Sequence, residues 1–270
     1  MSNFLKRTLS GFLFVIIVAG SILLSQYSFA VVFAIIAASA VYEFHKLTNK
    51  QSEVEVISWL SIVGSVILFF TSFFFASGTI KYPSYSVYGL FIVIVLVIEL
   101  YRKKVNPIHN WAYFILGQVI IAVPFALLNY IYYMEGFKAT LLIAMFVTIW
   151  LNDTGAYLVG VTFGKHRMFE RISPKKSWEG FIGGAVTALI SGYIFSLIFP
   201  EISLLSWLLF SEIVVVFGTF GDLLESLMKR TISVKDSGDV IPGHGGLLDR
   251  FDSTLLVAPA IFIYLSFLFK

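Results

Sequence analysis

The charged and polar residues of this chain gather in one place. Asp222, Glu225, Lys229, Arg230, Lys235, Asp236, Asp239, His244, Asp249, Arg250 and Asp252 crowd into residues 221–252, whereas most of the remaining sequence is apolar runs. Asp222, Glu225, Ser226 and Lys229 fall at i, i+3, i+4 and i+7, a spacing that puts them on one face of a helix. Two carboxylates a turn apart suit a hard cation such as Mg2+, which is usually held by one or two carboxylates together with substrate phosphates and water. The same spacing also serves a Glu225–Lys229 surface pair, worth about 0.2–0.5 kcal/mol to a helix, and on spacing alone the pair is the simpler reading. Residues 237–246 then bring Gly238, Pro242, Gly243, Gly245 and Gly246 around His244. This composition predicts an irregular loop whose backbone approaches a ligand closely. Successive N–H groups in such a loop form an anion-binding concavity, with phosphate as its natural occupant.

Two further stretches carry chemistry. Asn152 and Asp153 interrupt an apolar run, with Gly155, Ala156, Tyr157 and Gly160 close behind. A carboxylate at membrane depth costs about 2.5–3.5 kcal/mol on insertion scales and by default marks a functional path; the alternative is a structural hydrogen bond to a neighbouring helix. After Gly164, the cations Lys165, Arg167, Arg171, Lys175 and Lys176 precede Trp178 and Gly180. Cations beside a membrane can serve as topology determinants alone, and can equally bind phosphate as point charges.

The elements that must position these residues are membrane helices. The 270-residue chain is 58% hydrophobic and 13% charged, about half the charged fraction of a soluble domain. Apolar segments at 8–24, 27–44, 56–76, 85–101, 111–133, 139–163, 181–199, 203–220 and 254–269 each approach the roughly 20 residues needed to span a bilayer. The expected fold is therefore all-α, a polytopic integral membrane protein of about nine transmembrane helices. The first segment reads as a retained helix, because a second apolar run follows after only Ser25 and Gln26. Residues 1–138 are expected to be a scaffold and 139–270 the catalytic region of one integrated membrane domain. Of the 19 Lys and Arg residues, all but Lys81, Lys138 and Lys270 fall on the side of the N-terminus and of the loops after the even-numbered segments. The positive-inside rule makes that side cytoplasmic, together with both polar loops and the N-terminus. The net charge of +3 is too small and too dispersed to argue for nucleic acid as a partner. With no cysteine, there is neither a thiolate metal site nor a cysteine nucleophile.

Ser226, Met228-Lys229-Arg230, Lys235-Asp236, Gly238, Pro242, His244-Gly245-Gly246 and Asp249-Arg250-Phe251-Asp252 together resemble the signature of the phosphatidate cytidylyltransferases, or CDP-diacylglycerol synthases. Ser173-Pro174-Lys175-Lys176-Ser177-Trp178-Glu179-Gly180 is similar to a second segment of that family, and Asp153, Ala156 and Tyr157 fit a third. The resemblance covers roughly the second half of the chain. It implies CTP and membrane phosphatidate as substrates, CDP-diacylglycerol and pyrophosphate as products, Mg2+ as cofactor with room for a second ion, and an inner (plasma) membrane location. A homodimer is compatible with it. The residues it implies as catalytic are Asp222, Asp249, Lys176, Arg250 and Lys229. The metal set is Asp222 and Asp249, with Glu225 and Asp153 as supporting or additional ligands. Phosphate and nucleotide contacts fall to Lys175, Ser173, Ser226, Arg230, Lys235, Asp236, Gly238, His244, Gly245 and Gly246.

A cation or proton transporter is the competing reading, with Asp153, Glu212 and Asp222 lining a path. It would require polar groups on both sides of the midplane and often repeated halves, whereas here they cluster near one end of the later segments. Glu212 lies ten residues before Asp222, about 15 Å along a straight helix, and is left outside the metal set. Glu99 is explained by its nearness to the interface and to Arg102 and Lys103.

Overall fold

The computed structural model describes residues 3–82, 84–134, 136–234, 236–238 and 245–269. Helices dominate it. In chain order they are α1 (Asn3–Leu24), α2 (Gln26–Thr48), α3 (Ser58–Ala76), α4 (Tyr85–Arg102), α5 (Pro107–Gly117), a π-helical turn (Gln118–Ala122), α6 (Val123–Tyr132), α7 (Ala139–Phe163), α8 (Trp178–Ile198), α9 (Leu204–Thr231), α10 (Leu248–Phe251) and α11 (Thr254–Leu268). Among the described residues, eight stretches are long and apolar enough to cross a membrane; Leu9–Leu24 of α1 is a shorter apolar helix. The chain is a multi-pass, all-α membrane protein. Its only described strands are β1 (Arg167–Phe169) and β2 (Ser173–Ser177), an antiparallel hairpin between α7 and α8.

Local sequence sets where the helices begin. Ser25 starts α2 with a capping box shared with Ser28, Ser177 accepts from the Gly180 N–H at the start of α8, and Ser203 accepts from the Ser206 N–H at the start of α9. Each serine satisfies a backbone donor that the first helical turn leaves unpaired. The expected eighth segment ended at residue 220, but α9 continues to Thr231 without a break. Its 28 residues reach about 42 Å, longer than the roughly 30 Å hydrocarbon core. The Asp222–Lys229 face is therefore the projecting end of a membrane helix.

Inside a bilayer, lipid chains are as apolar as leucine, so helices associate through close packing and hydrogen bonds. The α7–α8 pair shows both. A Cβ on Gly155 would stand 2.9 Å from the Gly183 carbonyl oxygen, and one on Gly184 would stand 3.0 Å from the Asn152 carbonyl oxygen. Only hydrogen at these positions allows the backbones to meet. The Thr187 hydroxyl also donates to the Leu151 carbonyl at 3.1 Å. A core of Phe29, Phe33, Phe125, Phe146 and Phe251 joins α2, α6, α7 and α10. Through Phe251 this aromatic cluster seats the Asp249–Asp252 turn on the early helices. Glu99, expected at the interface, is buried: it takes Arg102 Nη1 at 2.6 Å and Asn110 Nδ2 at 2.7 Å.

Candidate active site

The end of α9, the turn containing α10, the middle of α7 and strand β2 converge on two adjoining cavities. The larger, about 440 Å3, is lined by Asp153, Asp222, Asp249, Arg250 and Asp252, with Ser10 to Val15 of α1 and Phe146 to Trp150 of α7 forming other walls. The second, about 300 Å3, includes Lys175, Lys176, Ser177, Tyr157, Gly180 and Thr219. Asp153, Asp222 and Ser253 line both. The cavities thus bring together residues as far apart in the chain as Ser10 and Thr254.

Lys176 Nζ stands 2.7 Å from Asp222 Oδ2 and donates to the Thr219 carbonyl at 3.2 Å. Ser226 Oγ donates to Asp222 Oδ1 at 3.1 Å, one helical turn further along the face. Asp153 and Asp222 are electrostatic neighbours of Asp252, and Lys176 acts on all three. Asp252 Oδ1 accepts from the Ser253 N–H at 2.6 Å. The arrangement has the oxygen donors that a hard divalent cation prefers. Among the described residues, no three acidic or histidine side chains are closed on one point. Mg2+ needs no such cage, because it keeps several waters and is completed by substrate phosphates. The donor set therefore fits a hard divalent cation of this kind.

Asp249 and Glu225 have a different setting from Asp222. The sequence suggested a Glu225–Lys229 surface pair; the pair forms, but in the interior, where Glu225 is fully buried and its Oε2 contacts Lys229 Nζ. Lys229 also donates to Asp249 Oδ1 at 2.6 Å. Asp249 Oδ2 accepts from the N–H groups of Ser237 at 2.9 Å and Gly246 at 2.8 Å. One oxygen of Asp249 thus meets an ammonium, and the other holds both feet of the glycine-rich loop. Gly245 beside it has φ +80°, a left-handed conformation that suits a residue without Cβ.

The remaining expected residues divide by location. Lys175 is exposed at the second cavity, while Ser173 lies on β2. Arg230 is turned to the hairpin: its Nε donates to the Ile172 carbonyl and its Nη1 to the Val234 carbonyl, each at 3.3 Å. Asp236 is exposed, and its Cβ is near Gly245. Gly238 and Gly246 pack against Glu43, and Lys235 and His244 lie outside the described residues. In the second family-like segment, Glu179 accepts from the N–H groups of Lys165 and His166, at 3.1 and 3.2 Å, and contacts His166 Nδ1 at 2.5 Å. Glu179 and the Ser177 cap hold the hairpin from which Lys175 and Lys176 reach the cavity.

Two residues of this site were given no role from sequence. Asp252 closes the Asp-Arg-Phe-Asp signature, and its i, i+3 spacing from Asp249 was the available signal. Glu43, on α2, has its carboxylate against Ser237, Leu247 and Leu248. Its only signal was an acid near the end of an apolar run, the same one that drew attention to Asp153.

The cytidylyltransferase family model matches residues 5–268. A phosphatidate cytidylyltransferase of Bacillus subtilis (strain 168) is 32% identical over 277 aligned positions that cover 98% of this chain and 99% of that protein. A phosphatidate cytidylyltransferase of Staphylococcus haemolyticus is 48% identical over a shorter stretch of 122 residues, 44% of this chain and 46% of that protein. Another from Staphylococcus saprophyticus matches to the same extent.

Proposed function

We propose, for a chain that belongs to the cytidylyltransferase family, that it transfers the cytidylyl group of CTP to phosphatidate and releases pyrophosphate. The observation that carries this reading is the meeting of Asp153, Asp222 and Asp252 with Lys176 and Arg250 in cavities at one end of a membrane helix bundle. A transporter would use acids distributed along a path, whereas these acids share one end with the phosphate-seeking cations.

A phosphate oxygen of phosphatidate attacks the α-phosphorus of CTP. A new O–P bond forms, the bond between the α-phosphorus and the bridging oxygen breaks, and pyrophosphate leaves with the electron pair. The lipid phosphate is already anionic at neutral pH, with a second pKa of about 6 by analogy with phosphoserine, so no strong general base is required. The work of the protein is to neutralise and align two anions. Lys176, held between Asp222 and the Thr219 carbonyl, supplies a cation whose position is set before substrate arrives. Arg250 and Lys175 extend the positive wall into the two cavities. We assign Asp222 as the principal Mg2+ ligand, with Asp153 and Asp252 across the cavity. Asp249 is available to the ion from its place on the wall, and Glu225 supports Lys229. Bound Mg2+ would offset charge on the transferring and leaving phosphates.

We further assign the site to the cytoplasmic face of the inner membrane, on the positive-inside distribution of Lys and Arg. A homodimer is compatible with this reading, and the net charge of +3 is too small and too dispersed to argue for nucleic acid as a partner. The test of function is pyrophosphate release by the purified protein in detergent with Mg2+. Release is expected only when CTP and phosphatidate are both present, with CDP-diacylglycerol as the lipid product, and chelation by EDTA should abolish it reversibly. Equal release with ATP, or without lipid, would refute the assignment.

A further inference from the structure

We infer that Glu43 is a positioning residue for the reaction, acting from α2 on the turn that presents Asp249, Arg250 and Asp252. Glu43 belongs to the helices expected to be scaffold, and it lies 194 positions before Ser237. Its side chain is nevertheless buried among the signature residues, at 2% exposure. Glu43 Oε1 accepts from the Leu247 N–H at 2.8 Å. Oε2 accepts from the Leu248 N–H at 2.8 Å and the Ser237 hydroxyl at 2.9 Å. All three donors lie within residues 226–252, the stretch that carries the signature, and none comes from α2 itself. A carboxylate that cross-links distant backbone in this way exerts its effect where the donors lie.

The position of those donors determines the consequence. Leu247 and Leu248 begin the turn whose next residues are Asp249 and Arg250, followed by Phe251 and Asp252. Ser237 is shared by two acids, with its N–H on Asp249 Oδ2 and its hydroxyl on Glu43 Oε2. Glu43 and Asp249 therefore grip the same two chain segments. The gap is too tight for a larger residue: a Cβ on Gly238 would stand 2.9 Å from Glu43 Oε1. Phe251 anchors the far end of the turn in the aromatic core, so Glu43 holds its near end. Buried donors deprived of an acceptor must move or remain unpaired, and a shift of about 1 Å in groups that align phosphates can cost about a hundredfold in rate.

This inference rests on the proposed nucleotidyl transfer for its kinetic readout, so the experiment carries a second readout that does not. Full-length protein with Glu43→Gln, Glu43→Asp, Ser237→Ala and the Glu43→Gln/Ser237→Ala pair would be purified in detergent. CDP-diacylglycerol formation would be followed per folded molecule, and backbone hydrogen exchange measured on the same samples. In Glu43→Gln an NH2 group faces a donor, so kcat should fall about 10- to 100-fold while KM for CTP and phosphatidate stays within about threefold. Glu43→Asp should recover part of kcat. The double variant should be little worse than Glu43→Gln alone, because both changes break one network. Exchange should accelerate at residues 245–252 and be unchanged in α7 and α8. A folded Glu43→Gln with wild-type kcat, multiplicative effects in the double variant, or faster exchange across the whole bundle would overturn the inference. If no variant and no wild-type protein makes CDP-diacylglycerol, the proposed function fails; local acceleration at 245–252 would still support the positioning contact, and its absence would refute that too.

Discussion

Acids of one chemical type have different tasks here, and their neighbours assign them. Asp222 shares its cavity with Asp153 and Asp252 and is met by the Lys176 ammonium and the Ser226 hydroxyl, one on each oxygen, which leaves a lone pair on each oxygen for a cation. Asp222→Asn and Asp252→Asn should each lower kcat/KM at least about 100-fold, the scale of removing one group that stabilises transition-state charge, while the protein elutes and melts as the wild type does. Asp249 instead holds Lys229 and two backbone N–H groups. Removing it leaves buried partners uncompensated, a change that typically costs about 3–5 kcal/mol. Asp249→Ala should therefore lose thermal stability as well as turnover, which a melting curve in detergent would reveal. Lys176→Ala removes a cation without emptying a packed core; an increase of about tenfold in KM for CTP or phosphatidate is expected, and unchanged values would return Lys176 to a purely topological role.

At the scale of elements, the site depends on α7 and α8 approaching more closely than side chains would allow. Asp153 is on α7 and the Lys175–Lys176 strand leads directly into α8, so their spacing sets the width of the second cavity. Gly184→Leu would force a side chain into the Asn152 backbone. The expected result is destabilisation by at least about 1–3 kcal/mol, as for overpacking in a dense interior, with activity lost in parallel; a variant with native melting and native turnover would show that the contact is dispensable. The same view explains why α9 outruns the bilayer. A helix ending at residue 220 would stop short of Asp222, whereas the continuous helix carries Asp222, Ser226 and Lys229 on one rigid face.

The whole molecule joins an early set of helices to a late set around one polar end. α1 supplies a wall of the larger cavity, α2 supplies Glu43, and α2, α6, α7 and α10 share the aromatic core. A division into an N-terminal scaffold and a C-terminal catalytic region is thus a division of sequence motifs, while the site draws on both. The absence of cysteine makes the membrane orientation directly measurable. Single cysteines at Ser52, after α2, and at Thr79, after α3, should react from opposite sides of inverted membrane vesicles, with the Ser52 position facing the cytoplasm. Labelling of both from one side would overturn the topology.

The sequence by itself determined the membrane class, the number of apolar segments to within one, and the polar stretches that the fold gathers around the two cavities. These are local properties: hydropathy over about 20 residues, helical spacing over a few, and glycines where the backbone must bend. The Asp222–Lys229 face was legible for the same reason. Only the tertiary structure decided which carboxylates are already partnered. Asp249 and Asp252 lie three residues apart in one signature, yet one is tied to Lys229 and the loop while the other faces Asp222 and Asp153. Nor could Glu43 be placed from its neighbours in sequence, because its partners begin 194 residues away. A carboxylate's role depends on the charges and donors that packing brings to it, and packing between distant helices is not written in local pattern.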